Sequence, residues 1–119
     1  VVSVLPLTPE TTGIMNAGFF AMLADGAFII NGGRGPQVDD DDLLAALGSG
    51  KLGGAALDVF AVEPLPQDHP FWTHPKVRVW PHVAAQTNAT SAAEQVAAAI
   101  TAMMDGSEPA NRVDWSRGY

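Results

Sequence analysis

The sequence predicts an α/β fold: the second half of an open, doubly wound parallel sheet, followed by a return helix. Short runs that are apolar on consecutive positions recur at residues 1–5, 28–31, 55–60 and 77–80, as expected of strands covered on both faces. Stretches of helical period alternate with them, the pattern of parallel strands joined by crossover helices. A polar residue of catalytic type follows each of the last three runs, namely Arg34, Glu63 and His82.

Taken in order, the first run opens the chain as Val1-Val2-Ser3-Val4-Leu5, with no methionine and no lead-in. The chain is therefore expected to be a fragment, and a targeting signal would lie outside it. A helix is expected over 16–23, with Phe19, Phe20, Met22 and Leu23 as one apolar face and Gly26 as the stop. After the second run, a helix over 39–47 places Asp39, Asp40, Asp41 and Asp42 at its positive end and buries Leu43, Leu44 and Leu47. Residues 63–75, punctuated by proline, form a long connection without helical periodicity. Beyond the fourth run, Ser91 and Glu94 read as a capping box, Val96, Ile100, Met103 and Met104 as a stripe, and Gly106 as the end of the last helix.

Composition narrows the function classes. The 119 residues are 47% apolar, which suits a packed domain. They contain no run of about 18 apolar residues, so no membrane span is expected. With no cysteine there is no disulfide, thiolate nucleophile or cysteine-held metal, which fits a reducing compartment, and the cytoplasm is expected. A net charge of −7 with six scattered basic residues argues against nucleic acid. His69, His74 and His82 lie near Asp68 but show no helical His-x-x-x-His spacing, so no metal site is expected. Trp72 and Trp80 either pack or line a pocket.

In an open parallel sheet the carboxyl ends of all strands point one way, and ligands bind outside that edge. Arg34, Glu63 and His82 are thus expected to gather at one rim. Singly each has a plain reading: a surface charge, a loop carboxylate before proline, and an imidazole bonded to a carbonyl. Together, a cation, a carboxylate and an imidazole make an acid/base site.

Four segments carry a family resemblance: Leu5-Pro6-Leu7-Thr8-Pro9-Glu10-Thr11; Ile30-Asn31-Gly32-Gly33-Arg34-Gly35 leading to Val38-Asp39; Leu57-Asp58-Val59-Phe60 with Glu63-Pro64-Leu65-Pro66; and Pro81-His82-Val83-Ala84. In order and spacing they resemble the successive motifs of D-isomer-specific 2-hydroxyacid dehydrogenases. The motif order and the ending Asp114-Trp115-Ser116-Arg117-Gly118-Tyr119 are most similar to the bacterial glyoxylate/hydroxypyruvate reductase branch.

The resemblance implies a Rossmann-type fold, with residues 1–81 as the second half of an NAD(P)-binding domain. Residues 82–119 would then be a return segment toward a substrate domain. It implies reduction of a small 2-oxo acid by hydride transfer from NAD or NADP in reduced form, in a parent that is a homodimer. Arg34 would bind the substrate carboxylate and 2-oxo oxygen through its planar fork. His82 would donate the proton, and Glu63 would orient its ring. Gly32, Gly33, Arg34, His82, Ala84 and Ala85 would border the cofactor, and glycine lets a ligand approach the backbone closely.

Asp58, a carboxylate in an apolar run, needs a partner. The resemblance offers the nicotinamide carboxamide, and a loop amide or hydroxyl is the alternative. Pro6 and Thr8 would line the cofactor ribose, with turn and cap duties as the competing account. Gly33 stands where the family usually has alanine, which is expected to loosen the loop, and the side-chain contacts of Ala84-Ala85-Gln86 stay open.

No Gly-x-Gly-x-x-Gly follows any strand run. In the family that loop and most of the substrate lobe lie upstream, so the isolated chain is expected to be inactive. The stripe of the last helix would be exposed or paired with another copy. A second functional class is a non-catalytic, nucleotide-sensing scaffold like the corepressor branch of the same fold.

Overall fold

The computed structural model describes residues 1–116; of the terminal run 114–119, residues 117–119 lie outside the described part. The chain divides into two compact units, Val1–Ala84 and Ala85 onward. The first carries β1 (Val2–Ser3), α1 (Ala17–Met22), β2 (Ala27–Asn31), a 3-10 turn (Gly35–Gln37), α2 (Asp40–Ser49), β3 (Leu52–Leu57), a second 3-10 turn (Pro70–Trp72) and β4 (Val77–Val79). The second carries α3 (Ala89–Met104). The four strands form one sheet in the order β1-β2-β3-β4, and every pairing is parallel. The α/β alternation read from the sequence is therefore the architecture of the first unit.

β1 is shorter than the apolar run 1–5 because the carbonyls beyond Ser3 bond elsewhere. Leu5 O and Pro6 O both accept from Gln37 Nε2, at 2.9 and 3.0 Å. β3 begins earlier than residues 55–60 suggest, and takes in Gly53 and Gly54. Glycine has low strand propensity, yet here it makes room for a neighbour. A Cβ at Gly54 would stand 2.7 Å from the Phe28 ring, and one at Gly53 2.5 Å from Gly26 O.

In α1, Phe20 is buried, and Phe19 and Leu23 pack beside the core. Met22 is 78% exposed, contrary to the expected stripe. It sits about 200° around the helix from Phe20, so both cannot face one core. The helix stops at Met22 with Leu23 as its cap, before Gly26, which takes φ +78 in the turn into β2. The α2 reading holds more closely. Asp39 caps it by accepting from Asp42 N, three aspartates follow in the first turn, and Gly50 ends it at φ +82. Leu43 and Leu47 are fully buried, each worth roughly 1.5–3 kcal/mol of apolar transfer.

In α3 the cap is Asn88, whose side chain accepts from Ser91 N; the helix thus starts ahead of the Ser91–Glu94 pair. The capping acceptor expected of Ser91 is supplied by Asn88, and Ser91 Oγ turns back to donate to Asn88 O instead. Gly106 follows the end of the helix at φ +73, and Val96, Ile100, Met103 and Met104 are exposed.

Candidate active site

Because the strands are parallel, the segments after β2, β3 and β4 leave from the same edge. The segment after β2 carries Arg34. Asn31, the last residue of that strand, is fully buried; its Oδ1 accepts from Gly33 N at 3.0 Å and its Nδ2 donates to Arg34 O at 3.1 Å. Gln37, also fully buried, accepts at Oε1 from Arg34 N and from Ser3 Oγ, each at 3.2 Å. One side chain thus ties the Arg34 loop to the end of β1.

Gly33 does not loosen this loop. A Cβ there would lie 2.6 Å from Gln37 Oε1 and 2.8 Å from Leu5 O, so the glycine lets the segment after β1 and the Arg34 loop close together. Gly35 is tighter still, since a Cβ would fall 1.8 Å from the Phe60 carbonyl carbon. That contact brings the Arg34 loop against the segment that carries Glu63. Arg34 itself is exposed, and its Nη1 turns back to Gly33 O at 2.8 Å. It bonds neither Glu63 nor His82.

Glu63 and His82 do meet. His82 Nδ1 lies 2.8 Å from Glu63 Oε2, and Glu63 Oε1 accepts from Phe60 N at 2.9 Å. The bond from His82, with that from the Phe60 amide, holds the Glu63 carboxyl below its ordinary value. Glu63 is therefore a carboxylate at neutral pH, and it favours the tautomer with the proton on Nδ1. That leaves Nε2 as the ring nitrogen free to face a ligand. The His82 backbone sits at φ +57, the left-handed region, which costs a non-glycine residue on the order of 1–3 kcal/mol. The Glu63–Pro64 peptide is cis.

Asp58 is buried, and its partners are loop amides: Val83 N donates to Oδ1 at 2.8 Å and Ala84 N to Oδ2 at 2.9 Å. A loop amide, one of the partners open from sequence, is thus present at each oxygen. Thr8, buried, bonds within its own turn, with Thr11 Oγ1 accepting from Thr8 N at 2.8 Å and Thr12 Oγ1 donating to Thr8 O at 2.8 Å. Pro6 O accepts from Thr11 Oγ1 as well as from Gln37. Turn duty at these two positions is therefore present. A hollow of about 430 Å³ over the ends of β2 and β3 is bordered by Ile30, Gly32, Asp58, Trp80, Val83 and Ala84. Another, of about 420 Å³ and largely apolar, adjoins Glu63 and His82 between Phe60, Leu65, Trp72 and Trp80. Ala85 opens the second unit.

Sequence reasoning missed Asn31, Gln37 and Gly35 as determinants of the site. The available signal was a polar residue closing an apolar strand and a glutamine enclosed by Gly35-Pro36 and Val38. One string is a decoy. Gly48-Ser49-Gly50-Lys51-Leu52-Gly53 has the spacing of a dinucleotide loop but runs from α2 into β3. A phosphate loop needs the opposite order, strand into helix.

The family model for the D-isomer specific 2-hydroxyacid dehydrogenase, NAD binding domain, matches residues 1–84. The glyoxylate/hydroxypyruvate reductase A of Serratia proteamaculans (strain 568) is 52% identical over 118 residues, covering 99% of this chain and 38% of the relative. That of Yersinia enterocolitica serotype O:8 / biotype 1B is 50% identical over the same shares. The chain thus spans 38% of the length of these curated relatives. Among solved structures, the D-isomer specific 2-hydroxyacid dehydrogenase from Xanthobacter autotrophicus Py2, in complex with NADPH and MES, superposes with a TM-score of 0.96 at 49% identity, over 100% of this chain and 49% of that one. The NADPH-dependent glyoxylate/hydroxypyruvate reductase from Sinorhizobium meliloti, in complex with NADP and sulfate, gives 0.92 at 44% identity, over 99% and 39%. By its motifs, its sheet and the match over residues 1–84, the chain belongs to the D-isomer specific 2-hydroxyacid dehydrogenase family.

Proposed function

We propose that these residues serve a reductase that converts a small 2-oxo acid of the glyoxylate or hydroxypyruvate type to its D-2-hydroxy acid, with NADH or NADPH as the second substrate. The observation that carries the reading is the 2.8 Å contact between His82 Nδ1 and Glu63 Oε2 at the carboxyl edge of a parallel sheet. NADPH is the coenzyme to test first, since the Xanthobacter and Sinorhizobium structures hold NADPH and NADP.

The residues present fit a nicotinamide. The hollow beside Gly32 and Ala84 is lined by the apolar Ile30, Trp80 and Val83, by small residues, and by the Asp58 carboxylate. A Cβ added at Gly32 would sit in ordinary van der Waals contact, 3.7 Å from Ala84 Cβ and 4.0 Å from Ser3 O, so the glycine leaves about a methyl's room beside the hollow. Each Asp58 oxygen accepts one amide and keeps capacity for a carboxamide donor. Gly32, Asp58 and Ala84, which line the hollow, would border the ring, with Pro6 and Thr8 toward the ribose. When bound, the reduced coenzyme supplies the hydride.

The chain's own residues supply the rest. Arg34, exposed and with guanidinium donors left beyond its bond to Gly33, would hold the substrate carboxylate and 2-oxo oxygen in a fixed plane. His82 Nε2–H would give its proton to the 2-oxo oxygen as that oxygen gains negative charge, and take it back in the oxidative direction. Glu63 would hold the ring through Nδ1 and offset the positive charge when the ring is protonated. The working protein would be a cytoplasmic homodimer, without a nucleic-acid or membrane partner.

The test is turnover by the full-length protein with glyoxylate and hydroxypyruvate, using NADH and NADPH. His82→Gln is expected to lower kcat by about 10²–10⁴-fold with little change in KM. Turnover that survives His82→Gln at the wild-type rate would overturn the mechanism. Nucleotide binding without any turnover would favour the sensing scaffold.

A further inference from the structure

The Asp58 carboxylate joins the end of β3 to the turn that carries His82. We propose that Asp58 is a positioning residue for His82: by gripping the amides of Val83 and Ala84, its carboxylate keeps the turn after β4 in the left-handed form that aims the imidazole at Glu63. The proposal rests on the reductase reading only for its catalytic consequence. Its structural content is independent of turnover.

Three observations carry it. First, the bonds fall on the two residues that immediately follow His82, one to each carboxylate oxygen, at 2.8 and 2.9 Å. Carboxylate acceptors make shorter and stronger bonds to amides than neutral ones do. Secondly, His82 N donates to Asp58 O at 2.9 Å, so the residue that follows β3 holds three consecutive amides, from 82 to 84. Thirdly, His82 is the one non-glycine residue with positive φ among the described residues. Such a conformation persists only where its surroundings over-determine it, and Asp58 is the group that does so here. Glu63 hangs from the same segment, through its bond to the Phe60 amide. Base-orienting carboxylate and imidazole are thus both registered to residues 58–60, which gives their contact its fixed length.

Asp58→Asn tests this, because the two accounts of Asp58 predict opposite signs at Glu63. The His82 bond is the leading cause that lowers the Glu63 carboxyl, whereas the negative charge of Asp58 acts to raise it. If Asp58 positions His82, the Asp58→Asn substitution releases the turn and the Glu63–His82 bond is lost. The Glu63 titration midpoint then rises toward its ordinary 4.5. If Asp58 acts only as a nearby charge, neutralising it moves that midpoint further down. The midpoint is read from the Glu63 side-chain carboxyl carbon by NMR on the ¹³C,¹⁵N-labelled chain.

Asp58→Glu keeps the charge and shifts it by one methylene. It is expected to raise the Glu63 midpoint as well, and an unchanged midpoint would overturn the proposal. Should neither variant fold, wild-type hydrogen exchange decides: the Val83 and Ala84 amides are expected to be protected, and exchange at free-loop rates would refute the grip. In the full-length enzyme Asp58→Asn is expected to lower kcat on the order of 100-fold through misplacement of His82. Absence of turnover in the wild type would sink the reductase reading while leaving the NMR result standing.

Discussion

Asn31 and Gln37 have no exposed surface, and between them they make the hydrogen bonds that shape the Arg34 loop. Removing such a side chain strands its buried partners, at about 1–3 kcal/mol for each unsatisfied group. Asn31→Ala is therefore expected to lower the unfolding free energy by roughly that amount, measured by urea titration. In the full-length enzyme it should raise KM for the oxo acid more than it lowers kcat, because Arg34 loses its backbone support. Glu63 also links stability to pH. Its folded carboxyl lies below its ordinary 4.5, so it adds stability that is complete above that pH. The contribution is lost as pH falls through the lower, folded value. Glu63→Gln is expected to flatten this part of the acid limb, read as the slope of the thermal midpoint against pH below 4.5. A slope equal to that of wild type would count against the Glu63–His82 bond.

At the scale of elements, α2 is held by a cap at one end and a core stripe along its length. Asp39→Ala removes the acceptor for Asp42 N and is expected to cost about 1 kcal/mol. Leu47→Ala opens a cavity in the centre of the first unit and is expected to cost about 2–5 kcal/mol. Both costs are measurable by equilibrium denaturation, and a cap loss as large as the cavity loss would contradict this ranking. β3 shows why element edges were harder to read than element existence. Its glycines look like breakers in one dimension and act as space for Phe28 in three. The α3 cap was misplaced for a related reason. Asn88 and Ser91 are both capping types, and choosing between them depends on where the chain becomes helical.

Over the whole molecule, the sheet leaves Val2, Phe28 and Ile30 exposed, and Val4, just past β1, is exposed too. Faces of parallel sheets are ordinarily covered. The 119-residue chain is thus expected to bind an apolar fluorescent dye in its folded state. It is also expected to show no turnover of glyoxylate with NADPH, followed as coenzyme absorbance, because no strand in it leads into a Gly-x-Gly-x-x-Gly loop. Measurable turnover by this chain alone would contradict that expectation.

Consecutive residues were enough to specify the parallel α/β order, the core stripe of α2 and the placing of Arg34, Glu63 and His82 after successive strands. Hydrophobic period and strand direction dictate these, and both are local properties of the chain. Packing in three dimensions was needed to show that Glu63 reaches His82 while Arg34 does not. The same holds for the bonds from Asp58 to the amides of Val83 and Ala84, and for Gln37 lacing β1 to the Arg34 loop. Those contacts join residues 19 to 34 positions apart, apart from the Arg34–Gln37 bond. The partner of a buried polar group is whichever donor the packed chain brings within reach, and no pattern along the sequence specifies it.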